Sequence, residues 1–482
     1  MGERDDDGIS EGSGEWRNPH DPFSDPEETK VLYAAIDSFK QYRRHNHLTL
    51  THLRRQAFYA LPLQHQALLS SQPISLLDRL TSIDDAIDTN AEIAEEIHML
   101  AIRGLGLKEA CEFSNPTPAA TIPATEDDPP EDEIEEYAYD WRSTATPSDH
   151  SKSRTTVAQF YRDWSAAGIH ERNVCYRPLL LDLIHEFPAS SRRSEIQVLV
   201  PGAGLGRLLF EVCRLGFSAE GNDISYHALL ASNWALNVME GPYTLFPFVS
   251  GFTNQISRRE NKGQLQCVKI PDICPGIELT RLEDSSSPNP NIKEDPPSTD
   301  VNTKTTEKPA PTPQTQLLDG QKGGTMSMTA ADFVSAYSSP TNRSRYAVVL
   351  TSFFIDTLPN VLRAIECVHN VLVPGGIWAN VGPLMWHFDG AGVHPIGQNE
   401  KLKMKVKKDE DWGSLGIAEA GCVELTDEEV LECVARMGFV VESHEVSGAE
   451  DGDGRTGYIG DSESMLVQEY RVSHWVARKV GL

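Results

Sequence analysis

The run VLVPGAGLGR, residues 198–207, limits what this chain can fold into more than any other stretch. A buried parallel strand ends in Gly202, Gly204 and Gly206, and a helix follows at once. Glycine is required where the backbone turns sharply and where a ligand must approach without Cβ interference. The next strand closes on Asp223, where an acidic group in a βαβ unit can accept hydrogen bonds from both hydroxyls of a ribose. Strand, tight turn, helix and strand in that order read as a Rossmann-like α/β unit.

Two ligands fit such a turn, a dinucleotide and S-adenosylmethionine. The dinucleotide pattern G-x-G-x-x-G needs a third glycine at 207, where Arg207 stands; the three glycines present give the looser G-x-G-x-G. A glycine turn that binds no nucleoside is the plainer alternative. Later segments weigh toward S-adenosylmethionine. YAVVLTSFFIDTLPNVLRAIECVHNVLVPGGIWANVGP supplies a strand, a helix, the turn Pro374-Gly375-Gly376 and another strand, the series expected around the fourth and fifth strands of a class I methyltransferase.

Charge and cysteine usage narrow the setting. A formal net charge of −28 opposes phosphate backbones and anionic lipid, so no nucleic acid and no membrane partner is expected. No apolar run approaches bilayer length, and the first residues carry no signal-peptide pattern. The 8 cysteines include no C-x-x-C pair, which fits free thiols in a reducing compartment and predicts no metal site. The expected location is the cytoplasm, with the nucleus as a second compartment.

Composition shifts divide the chain. Residues 1–26 read as a disordered tail, 27–111 as an N-terminal helical region, 112–136 as an acidic Pro-rich linker and 137–482 as the catalytic domain. Within that domain, 276–325 is rich in Pro, Ser, Thr and Asp and reads as a disordered insertion. Residues 155–187 look like two helices, and YRVSHWVARK like a final strand. The expected fold is α/β: a mostly parallel seven-stranded sheet with helices on both faces and YRVSHWVARK as an antiparallel edge strand.

The motifs QFYRDWSAAGIHERNVCY, VLVPGAGLGRL, EGND, SMTAADF, SFFIDT and GGIWANVGPLMWHF resemble those of the carnosine N-methyltransferase family over roughly residues 150–480. The resemblance implies S-adenosylmethionine as cofactor, a small dipeptide as substrate and a homodimer. It places Gln159 and Arg162 at the methionine end of the cofactor, Gly202 and Gly204 in the turn, Asp223 at the ribose, and Asp332 and Phe333 at the adenine. Asp223 stands where the family has Glu, and Ser352 where it has Cys. For the substrate the resemblance nominates Asp356, His387 and Tyr470, the last aligned only by counting back from the terminal A-R-K. Asp356 could fix the tautomer of an imidazole and accept its proton, with His387 orienting the ring or peptide.

Plainer roles stand beside these. Arg162 could be a surface residue paired with Asp163 or Glu171, Asp332 a helix cap before a core Phe333, and Asp356 a cap before TLPN. His387 could be a structural histidine, and Tyr470 an ordinary strand aromatic. His45 and His47 look solvated, and KLKMKVKK (401–408) reads as a solvated basic segment. Three other functions remain open: a silent relative that binds a partner through the N-terminal helices, a dinucleotide oxidoreductase, or a methyltransferase acting on histidine within a peptide or protein.

Overall fold

The computed structural model describes residues 16–17, 26–107, 141–257, 262–285, 324–387, 422–447, 454–461 and 463–481. Most of the expected tail, the 112–136 linker, residues 286–323 of the expected insertion and the basic run 401–408 lie outside the described residues. The chain divides into two compact units, Pro22–Val157 and Met1–Asp21 with Ala158–Leu482.

The helices are α1 Pro26–Lys40, α2 Tyr42–Asn46, α3 Leu53–Tyr59, α4 Leu63–Ser70, α5 Leu76–Gly104, α6 Pro147–Trp164, α7 Ile169–Cys175, α8 Arg177–Glu186, α9 Arg207–Arg214, α10 Tyr226–Asn237, α11 Pro275–Ser285, α12 Phe333–Tyr337, α13 Val361–Val371 and α14 Asp427–Arg436. The strands are β1 Trp16–Arg17, β2 Gln197–Pro201, β3 Ser218–Asp223, β4 Tyr243–Leu245, β5 Val268–Ile270, β6 Met326–Ala330, β7 Tyr346–Ser352, β8 Leu372–Gly382, β9 Phe439–Val446, β10 Arg455–Thr456, β11 Tyr470–Arg471 and β12 Ser473–Lys479. No described helix is long and apolar enough to cross a membrane.

The helical unit forms around α5. Ile83, Ile87, Ala94, Ile97 and Ala101 recur at helical spacing and are buried, as are Ala35, Ile36 and Phe39 of α1, which packs against it. Thr146 and Asp149 cap α6 reciprocally, each side chain accepting the other's backbone N–H, and Pro147 occupies the first turn. The unit boundary at Val157 therefore falls inside α6 rather than at the linker, a division that composition cannot reveal because the helix is continuous. His45 and His47 are half-buried and paired rather than freely solvated. His45 stacks on His150 with ring centroids 3.9 Å apart, and His47 sits between Asp84 at 3.0 Å and Asp88 at 2.8 Å.

In the second unit one sheet runs β1-β6-β3-β2-β7-β8-β12-β9. All pairs are parallel up to β8, and β12 is antiparallel to both β8 and β9. Seven strands carry the sheet, and the two-residue β1 extends its edge. The expected antiparallel edge strand is thus an interior one. Trp475, Val476 and Ala477 of β12 are buried, so the strand can pair on both sides. The edge falls to β9, whose polar ESHE run suits an exposed ladder. The α13 and α14 helices pack against this part of the sheet through Val361, Ile365, Val368, Val430 and Val434, around Trp378 and Trp475.

Two further boundaries differ from expectation. Residues 147–186 form three helices, because Gly168 packs backbone against backbone. A Cβ there would collide with the carbonyls of Tyr161 and Arg162, so α6 must end and α7 must start at a new angle. The start of the expected insertion is ordered as α11, where Glu278 lies 3.7 Å from Arg214 of α9 and 2.9 Å from Arg281.

Glu220, buried in the middle of β3, ties the parallel strands together. One carboxylate oxygen accepts from Thr329 Oγ1 (2.9 Å) and the Tyr337 hydroxyl (2.6 Å); the other accepts from Arg345 (2.9 Å) and the Tyr346 hydroxyl (2.8 Å). One side chain so links β3, β6, α12 and β7. Glu220→Ala is expected to lower unfolding free energy by about 3 kcal/mol, because it takes the acceptor away from three buried hydroxyls, those of Thr329, Tyr337 and Tyr346. Urea denaturation measures this, and a loss below about 1 kcal/mol would contradict the assigned network.

Candidate active site

The carboxyl ends of β2, β3, β6, β7 and β8 form one rim of the sheet, the place where ligands of open α/β sheets collect. At β2 the glycine turn has left-handed φ at all three positions, +65° at Gly202, +55° at Gly204 and +76° at Gly206. The three differ in what surrounds them. A Cβ on Gly202 would lie 2.6 Å from Phe354 Cδ2, and one on Gly206 2.8 Å from Leu236 Cδ1. Beside Gly204 the nearest atom is the Gly202 carbonyl, 4.0 Å away, so this backbone face is open to a ligand.

Asp223 closes the turn. Its Oδ2 accepts the Gly204 N–H and its Oδ1 the Ser225 N–H, both at 2.9 Å. Burial pushes its carboxyl above the ordinary range, against the pull of these amides. Each oxygen retains a lone pair, which fits a diol donor such as a ribose. Arg207, in the place of a third glycine, is buried. It donates to the Asp163 carbonyl (2.7 Å), Asp272 (2.6 Å) and Glu211 (2.8 Å), and its guanidinium lies 5.1 Å from the Trp164 ring centroid.

The loop after β7 meets the turn through Phe354, whose ring packs edge-on against Phe333 at 5.3 Å. Asp332 caps α12 by accepting the Ser335 N–H at 2.8 Å, and Phe333 belongs to the core. Those are the plainer roles weighed for both residues. Ser352 ends β7 and donates to the Cys175 carbonyl at 3.3 Å.

Asp356 is buried, and it does not cap a helix: Asn360 caps α13 instead, accepting the Leu362 N–H. Asp356 Oδ2 accepts the Met385 N–H at 2.9 Å, and its carbonyl accepts the His387 N–H at 3.1 Å. The loops after β7 and β8 are thereby joined, which brings Asp356 and His387 together. Burial raises the Asp356 carboxyl above its ordinary range, while the Met385 amide and His387 pull it down. Both loops carry a non-glycine residue with left-handed φ, Phe353 at +53° and Trp386 at +45°, a form of local strain that recurs at functional sites.

Gln159 and Arg162 lie on α6. Arg162 is buried rather than on the surface, and it pairs with Asp163 through two hydrogen bonds of 2.8 and 3.1 Å. Both residues meet a residue that the sequence reading did not single out, Tyr458. Its hydroxyl accepts from Gln159 Nε2 at 3.2 Å, and the Arg162 guanidinium stands 4.6 Å from its ring centroid. Phe353 packs against Tyr458 at 5.6 Å and Tyr470 at 6.0 Å. Tyr458 and Tyr470, with Tyr161, His170 and Asp461, line a cavity of about 430 Å³. Tyr458 follows a glycine in an acidic loop with no periodic pattern, so nothing in the sequence marked it.

A family model for carnosine N-methyltransferase matches residues 139–289 and 298–481. A carnosine N-methyltransferase of Schizosaccharomyces pombe is 30% identical over 94% of this chain and 97% of its own length. One from Mus musculus is 28% identical over 94% of this chain and 86% of its own. The Drosophila melanogaster carnosine N-methyltransferase unmet is 31% identical over 69% of this chain and 56% of its own.

The geometry of the turn gives a graded prediction. Gly202→Ala adds a collision with Phe354 to backbone strain and is expected to lose about 2–4 kcal/mol of stability. Gly204→Ala meets only the strain, about 1 kcal/mol. Thermal denaturation of both variants checks this, and equal losses would contradict it.

Proposed function

This chain belongs to the carnosine N-methyltransferase family, and from that premise we propose that it transfers a methyl group from S-adenosylmethionine to an imidazole ring nitrogen of carnosine or a related histidine-containing dipeptide. The observation that carries the reading is Asp356, a buried carboxylate at the end of β7, joined through His387 to the β8 loop and through Phe354 to the glycine turn.

The residues of the turn fit the cofactor. Asp223 offers two acceptor oxygens to the ribose, Gly204 leaves its backbone face open, and Gln159 and Arg162 supply donors for the amino-acid end. Asp332 and Phe333, at the start of α12, take the adenine side, and Ser352 is a further cofactor contact. When bound, the sulfonium supplies an electrophilic methyl carbon on an already good leaving group.

The protein's task is then to present one unprotonated ring nitrogen in line with that carbon. Asp356 accepts a hydrogen bond from the opposite ring N–H, which selects the tautomer whose free lone pair faces the methyl. As the new N–C bond forms, the ring becomes cationic and the carboxylate stabilises it. The ring N–H proton then passes to Asp356, leaving a neutral methylated ring; a carboxyl raised by burial is a better acceptor for it than an exposed one. His387, exposed at the rim beside Asp356, orients the imidazole or the peptide, and Tyr470 with Phe353 offers an aromatic wall.

Asp356→Asn keeps the shape and removes the proton acceptor. It is expected to lower kcat with carnosine by about 10²–10⁴-fold while S-adenosylhomocysteine affinity stays at the wild-type value. Mass spectrometry of the product and calorimetry of binding test this together. Wild-type turnover by the variant would sink the role of Asp356, and no methylcarnosine from a wild-type protein that binds S-adenosylhomocysteine would sink the substrate.

A further inference from the structure

The segment QFYRDWSAAGIHERNVCY contains two adjacent residues that the methyl-transfer reading leaves without a role, Glu171 and Arg172. Both lie on the short helix α7 and both are buried, at 6% and 5% exposure. Their charges point to different places. Arg172 donates to the Arg162 carbonyl at 2.5 Å, the Ser165 carbonyl at 2.7 Å and Asp272 at 2.7 Å, fixing α7 against the end of α6. Glu171 has no such side-chain partner among the described residues. Its two oxygens accept consecutive backbone amides instead, Gly460 N–H at 2.9 Å and Ile459 N–H at 3.0 Å.

This is an anion in a backbone concavity, built within one chain. Ile459 is β-branched yet has φ of +56°, a conformation such residues avoid unless their surroundings impose it. Gly457 and Gly460 flank the held amides, and a Cβ on either would lie in ordinary contact with Glu171 Oε1, at 3.5 and 3.7 Å. The residue just before the held amides is Tyr458, the one that meets both Gln159 and Arg162. Farther along, Met465 N–H donates to the Asn254 carbonyl at 2.7 Å and Glu463 pairs with Lys262 at 2.5 Å, so other contacts fix the segment's far end. Near Tyr458 the backbone is held by the β10–β11 ladder and by Glu171, while the Tyr458 side chain itself meets Gln159, Arg162 and Phe353.

We propose that Glu171 is a positioning residue: by holding the Ile459 and Gly460 amides it sets Tyr458 over the Gln159–Arg162 face of α6 and completes the pocket for the cofactor's amino-acid end. The proposal rests on the reading of that face as a cofactor contact. Glu171→Gln replaces one acceptor oxygen with an N–H-bearing nitrogen, so one of the two amides loses its partner. Tyr458→Ala removes the side chain that is positioned and leaves the carboxylate contact in place.

The probe is S-adenosylhomocysteine, followed by calorimetry, with hydrogen exchange of the full chain measured by mass spectrometry. Glu171→Gln should speed exchange at Ile459 and Gly460 at least tenfold, leave β2 and β7 protected, and weaken S-adenosylhomocysteine about tenfold. Tyr458→Ala should weaken binding to a similar degree with exchange at Gly460 unchanged. Wild-type exchange in Glu171→Gln overturns the contact, and faster exchange with unaltered affinity overturns its purpose. If Glu171→Gln loses protection throughout the sheet, Tyr458→Ala decides: full affinity in that variant overturns the proposal. A wild-type protein that fails to bind S-adenosylhomocysteine sinks the cofactor reading instead, while exchange in Glu171→Gln still judges the contact.

Discussion

Asp223 grips the backbone of the glycine turn, one oxygen on the Gly204 amide and the other on the Ser225 amide, and the rest of the rim is arranged around that grip. The turn can reach Asp223 only because three residues adopt left-handed φ without a Cβ penalty. Phe354 fills the space a Cβ on Gly202 would take, and so carries the β7 loop, with Asp356, into register with the turn. A carboxylate held this way is already desolvated and oriented before any ligand arrives, which lowers what binding must spend on ordering it.

A second layer of charge holds the helix that faces this rim. Asp272 accepts from Arg207 and Arg172, and the same two arginines donate to the carbonyls of Arg162, Asp163 and Ser165 at the end of α6. Orphan carbonyls at a helix C-terminus are favourable sites for cations. The consequence is geometric: Gln159 and Arg162 are tied to the helix that begins at the glycine turn, so two distant stretches of sequence meet as one surface. Breaking a buried pair of this kind leaves an uncompensated charge, which makes the cluster intolerant of single changes.

Much of this was legible in the sequence where the signal is local. The strand, turn, helix and acid at 198–223 follow from residue types whose backbone demands are specific, and the apolar runs of β7 and β8 read as strands, whereas the short β6 before Asp332 did not. The place of β12 was not legible. YRVSHWVARK has the same alternation whether it lies at an edge or inside, and only its pairing with both β8 and β9 decides. Sequence placed Arg162 beside Asp163 but could not show that the pair is buried or that Tyr458 covers it, because that contact joins residues nearly three hundred positions apart. The capping role of Asn360 likewise depended on where α13 actually begins, which freed Asp356 from the plainer role its flanks suggested.

The central claim is that methyl transfer occurs at a ring nitrogen held opposite a buried carboxylate. It is tested most directly by incubating the protein with carnosine and S-adenosylmethionine labelled with carbon-13 in the transferred methyl, then locating the label by heteronuclear NMR. The account predicts a single product in which the labelled methyl correlates with carbons of the imidazole ring. Label on the β-alanyl amine, or none on carnosine from a protein that binds S-adenosylhomocysteine, would contradict it.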